Sequence, residues 1–61
     1  MRKFIHGRSD KVYTIEDNKR GRFVKIKSTE NKITTSMDMH RDKLRRFERD
    51  LEEFGFVEVS Q

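Results

Sequence analysis

The apolar residues of this chain change their spacing beyond Met37, and that change constrains the fold more than any other feature. Up to Met37 they tend to alternate with polar residues; from Leu44 to Phe54 they recur at steps of three and four. Alternation is the mark of a half-buried strand, and three-four spacing puts residues on one face of a helix. Lys11–Asp17 alternates, with Tyr13 and Ile15 on one face and Val12, Thr14 and Glu16 on the other. Arg22–Ser28 resumes the pattern, Val24 and Ile26 pointing one way and Phe23, Lys25 and Lys27 the other. Lys32–Met37 repeats it with Ile33, Thr35 and Met37 opposed to Lys32, Thr34 and Ser36. Arg2–Gly7, with Phe4 and Ile5, reads as a short first strand. The breaks at 17–21 and 28–31 hold the Asn, Gly and Ser that turns require.

From Met39 to Phe54 the stripe Leu44, Phe47, Leu51, Phe54 predicts a helix. Asp38 is placed to cap its start, and Gly55 stands where a left-handed residue ends a helix. Asp42–Arg46, Arg46–Asp50 and Arg49–Glu53 stand four apart and support its outer face. Phe56–Val59 reads as an extended tail. The expected fold is α+β: a four-stranded antiparallel sheet followed by one helix, in the order β-β-β-β-α. It forms a single domain over residues 1–61. The helix would cover one sheet face and leave the other to water. The expected core is Leu44, Phe47, Leu51 and Phe54 against Tyr13, Ile15, Val24, Ile26 and Ile33.

Composition sharpens the expectation of a partner. Only 31% of residues are hydrophobic and 43% are charged, close to the balance of disordered chains. The periodicity argues for a folded unit instead. Disulfides are excluded because cysteine is absent, and His6 and His40 lie too far apart in sequence to share a ligand motif. Self-association is the remaining way to bury more surface, so a homodimer is expected. No apolar run can span a bilayer, and no apolar segment follows Met1–Lys3. A soluble, intracellular protein without membrane contact is the expectation.

Charge is unevenly spread. Residues 1–37 hold ten Lys/Arg against four Asp/Glu, and residues 38–61 hold five against seven, so a net +4 divides into +6 and −2. The strand region is the basic one, as suits a polyanion. If Val24 and Ile26 face the helix, Phe23 faces outward beside Lys25 and Lys27. Aromatic rings with basic neighbours on an open sheet bind single-stranded nucleic acid by stacking and phosphate contact. Arg20 and Arg22, around Gly21, can fork onto phosphate or base edges.

At these positions the chain resembles the PUR repeat, the unit of the purine-rich element binding proteins. The likeness is carried by Asn18-Lys19-Arg20-Gly21-Arg22-Phe23-Val24-Lys25-Ile26. It extends to Val12–Glu16, to Lys32-Ile33-Thr34 and to Arg45–Leu51, covering about residues 4–54. The first strand and the connection at 28–31 are shorter than the family's, and the tail has no counterpart. The resemblance implies two β-β-β-β-α repeats intertwined, here as an intertwined homodimer. It also implies binding of single-stranded DNA or RNA, with purine-rich strands and duplex opening among the family's properties. The implied binding residues are Asn18, Lys19, Arg20, Arg22, Phe23 and Lys25; the basic rows of the open face add Lys27 and Lys32.

Catalysis is not expected. No serine stands in a nucleophile motif, and the helix carboxylates Glu52 and Glu53 lie among ion-pair partners, so no cofactor is expected either. Two rivals remain. One is a small protein-binding regulator that docks on a nucleic-acid-processing enzyme, suggested by the basic start (41–46) and acidic end (48–53) of the helix. The other is a whirly-type single-strand-binding transcription cofactor, a family that lacks the Arg-Gly-Arg-Phe turn.

Overall fold

The computed structural model describes residues 1–17 and 20–59. Five strands and one helix follow in the order β1 (Arg2–His6), β2 (Val12–Glu16), β3 (Phe23–Glu30), β4 (Ile33–His40), α1 (Leu44–Glu53) and β5 (Phe56–Val59). A 3-10 turn, Arg41–Lys43, joins β4 to α1. The strands form one antiparallel sheet in the order β4-β3-β2-β1-β5. The expected meander and helix are present, and a fifth strand is added. Phe56–Val59 is no loose tail: it returns along β1, with Phe4 opposite Glu58 and His6 opposite Phe56.

Alternation set the facing of the strands correctly. Phe4, Ile15, Val24 and Ile26 project toward the helix and are buried with Leu51. Tyr13, Met39, Leu44, Phe47 and Phe56 pack around them. Tyr13 meets Phe47 and Phe56 edge-on, with centroids 5.6 and 5.2 Å away.

Four expectations need correction. β3 and β4 are each longer than expected: β3 gains Thr29 and Glu30, which pair with Thr34 and Ile33, and β4 gains Asp38, Met39 and His40. The turn is only Asn31 and Lys32, both left-handed at φ 52° and 66°. Two such residues are the signature of a tight hairpin turn. The helix begins later than Met39. Met37 and Met39 continue the strand alternation opposite Ile26 and Val24. Asp38 is therefore a strand residue, and His40 caps the 3-10 turn, its ring nitrogen accepting from the Asp42 N–H at 3.2 Å. Ile33 has the expected parity but lies beyond the helix and is 68% exposed. Phe54 follows the helical stripe but stands past its last residue, 74% exposed.

The helix ends as its sequence demands. Gly55 adopts φ 94°, and the Phe54 and Gly55 N–H groups donate to the Asp50 and Glu52 carbonyls. Arg2 ties β5 and the helix to β1. Its guanidinium meets Glu48 on the helix and forks onto both oxygens of Glu58 at 2.7 Å.

Candidate nucleic-acid interface

The face turned away from the helix is built from four cross-strand rows. Residues directly opposite each other on paired strands share a face. The rows are Val57–Ile5–Val12–Thr29–Thr34, then Val59–Lys3–Thr14–Lys27–Ser36, then Glu16–Lys25–Asp38, and finally Phe23–His40. The face thus runs from an aliphatic corner, through polar and charged rows, to an aromatic end.

The aromatic end is the best-defined feature. Phe23, the first residue of β3, is 58% exposed. His40, the last residue of β4, stands opposite it, with ring centroids 5.6 Å apart and planes at 81°. Sequence reading missed His40, because it assigned that position to the helix. The signal was available: Met37 and Met39 alternate as strand residues, which sets His40 on the Phe23 side.

The connection leading into Phe23 is held by Arg41. Its guanidinium donates to the Asp17 carboxylate at 2.6 Å and to the Gly21 carbonyl at 3.4 Å. The Arg41 N–H also donates to the Arg22 carbonyl at 2.7 Å, continuing the β3–β4 ladder by one bond. Gly21, at φ 75°, makes the turn that L side chains resist. Arg20 and Arg22 are exposed on either side of it.

The expected binding residues fall into three groups. Arg20, Arg22, Phe23, Lys25 and Lys27 lie along the β2–β3 connection and the open side of β3. Lys32 does not join them: it occupies the hairpin turn at the other end of β3, not a row of the face. Eight residues of strand, at about 3.3 Å each, separate the two ends by some 20 Å or more. Asn18 and Lys19 lie outside the described residues. Lys3 was missed as well. It shares a row with Lys27, one strand removed, and stands in the first strand, whose facing the sequence reading left open.

The face is less purely basic than the strand composition suggested. Glu16 pairs with Lys27 at 3.1 Å, and Lys25 lies between Glu16 and Asp38 in its row. Any anion that reached these two lysines would have to compete with those carboxylates. Arg22 and Lys3 have no ion-pair partner among the described residues. A shallow hollow bounded by Met1, Glu16, Asp17, Phe23, Lys25 and Asp38 gives the flat face some relief beside the Phe23 ring.

No protein-family model, no curated protein and no solved structure matches this chain. Among the described residues, no helix is long and apolar enough to cross a membrane. The class of protein that fold and face define is a small α+β domain with an open antiparallel sheet.

Proposed function

We propose that this chain binds single-stranded nucleic acid on the open sheet face, entering at the Phe23–His40 end. The observation that carries the reading is an exposed Phe23, set edge-on to His40 and flanked by Arg22 and Lys25. One ring face is left available to a base, and cations stand within reach of the adjoining phosphates. The resemblance to the PUR repeat in Asn18–Ile26 supports the same reading and extends it to purine-rich DNA or RNA, to duplex opening and to a homodimer. Lys32, remote from the aromatic end, is left out of the primary contact.

The test is fluorescence anisotropy of labelled purine-rich and pyrimidine-rich DNA and RNA strands at two salt concentrations. Binding that weakens with salt and is tighter to single strands than to duplex is the expected result. Equal binding of duplex and single strands would reject the stacking site.

One observation favours a second reading. Glu16 and Asp38 among the lysines make a mixed-charge surface of the kind that suits a protein partner. In that reading the chain is a regulator that docks through the sheet, and no oligonucleotide binds.

A further inference from the structure

The two edges of the sheet are treated differently. β5 is four residues long, and its Glu58 is clamped by Arg2. β4 is eight residues long, and Ile33–Met37 holds no lysine, no proline and no charge. Its pairing with β3 runs unbroken, without a bulge, from Ile33 to His40. Long, flat, uncharged edges are the ones that recruit another strand, and proteins that avoid this blunt them with charge, proline or bulges.

The ladder phase tells which backbone groups are free for it. The Arg41 N–H bonds inward to Arg22, so alternate residues Met39, Met37, Thr35 and Ile33 also direct their N–H and C=O groups toward β3. Thr34, Ser36 and Asp38 direct theirs outward. The side chains of Ile33 and Met37 are 68% and 49% exposed, although both lie on the helix side of the sheet.

We infer that β4 pairs with β4 of a second copy, antiparallel about a two-fold axis at Thr35. The strand is self-complementary in that register alone among its neighbours. Ile33 falls opposite the partner's Met37, so each exposed apolar side chain gains the other. Thr34 falls opposite the partner's Ser36 as a hydrogen-bonded pair. Lys32 falls beside the partner's Asp38, opposite in charge. Shifting the axis one residue toward the turn sets Ile33 against the partner's Thr35 and Met37 against the partner's turn residue Asn31, so neither exposed apolar side chain gains the other. Shifting it the other way sets Lys32 against the partner's His40 and leaves Asp38 facing Thr34. The result is a ten-stranded sheet with both helices on one side and both open faces joined on the other.

This gives the homodimer of the proposed function a surface, and it differs from an intertwined arrangement, in which both copies share one core. The two are separable because Phe23 lies at the far end of the sheet from the axis.

The test uses the full chain, which holds no cysteine. At Thr35 the two copies form a non-hydrogen-bonded pair, with Cα atoms about 4.5 Å apart, close enough for a disulfide. Thr35→Cys should link quantitatively into a dimer under mild oxidation, and Met37→Cys at least tenfold more slowly. Thr35→Lys sets two like charges across the axis, on the helix side of the sheet and off the open face. It should sediment at half the parent's mass with an unchanged circular dichroism spectrum, and it should still bind oligonucleotide if the proposed function holds. A monomeric parent overturns the inference. So does a dimer in which Thr35→Cys fails to link, whatever Thr35→Lys does; that outcome points to the intertwined form. Loss of oligonucleotide binding in every protein, with linking intact, would reject the nucleic-acid reading alone.

Discussion

Phe23 and His40 face each other across β3 and β4, their rings 5.6 Å apart and nearly perpendicular. Edge-to-face pairs of this kind contribute about 0.5–1.5 kcal/mol beyond burial. Here both rings are on the surface, so the contact acts mainly to hold Phe23 in one orientation. His40→Ala should weaken single-strand binding by about that amount, less than loss of Phe23 itself. Anisotropy titrations of the two variants give the order. Equal affinity of His40→Ala and parent would mean that Phe23 needs no such support.

The helix stripe divides at its end. Leu51 is 4% exposed and central to the core, whereas Phe54 is 74% exposed. Leu51→Ala should cost about 2–5 kcal/mol, enough to unfold a marginal domain. Phe54→Ala should change stability by no more than about 0.5 kcal/mol. Thermal denaturation followed by circular dichroism distinguishes them. A large loss for Phe54→Ala would show that the residue is covered in solution.

That division marks how far the sequence could be read. Alternation around Val24 and Ile26 was enough to place Phe23, Lys25 and Lys27 on the open face, because one buried residue fixes the facing of a whole strand. It failed where polarity hid a strand. Thr29 and Glu30 pair in the ladder yet carry no apolar signal, so the pattern alone sets the turn too early and Lys32 on the sheet. Met39 suited either period, and only its pairing with Val24 decides for the strand. The pairing of β5 with β1 joins residues fifty or more positions apart, a relation that no local pattern carries.

Arg2 and Glu58 give β5 a pH dependence. The hydrogen-bonded Arg2 guanidinium holds the Glu58 carboxyl below its usual range. The folded chain therefore takes up that proton less readily than the unfolded chain. The stabilisation is complete above the ordinary glutamate value of about 4.3 and fades as pH falls through the lowered one. An NMR titration of the Glu58 side chain should show a midpoint below that ordinary value. Arg2→Ala should return it there, and a Glu58 midpoint that ignores Arg2 would contradict the clamp.

Gly55 sets the path from helix to β5. Its φ is 94°, and a Cβ there would stand 3.2 Å from His6 Nε2, which also contacts the Phe54 carbonyl at 3.1 Å. Gly55→Ala should cost about 1–2 kcal/mol for the left-handed backbone alone. Amide exchange should rise first along Phe56–Val59 and its partner β1. Uniform exchange across the sheet would mean that β5 does not open separately.

The central claim is a stacking site at Phe23 beside a phosphate contact at Arg22, and the two interactions respond differently to salt. Oligonucleotide affinity measured across a salt series for the parent, Phe23→Ala and Arg22→Ala tests it most directly, with circular dichroism as the folding control. Phe23→Ala should lose about 1–3 kcal/mol of binding with the slope of log K against log salt unchanged. Arg22→Ala should flatten that slope by about 0.7, the value for one phosphate on a single strand. Three folded proteins with the same affinity and slope, or a parent that binds no oligonucleotide at low salt, would contradict it.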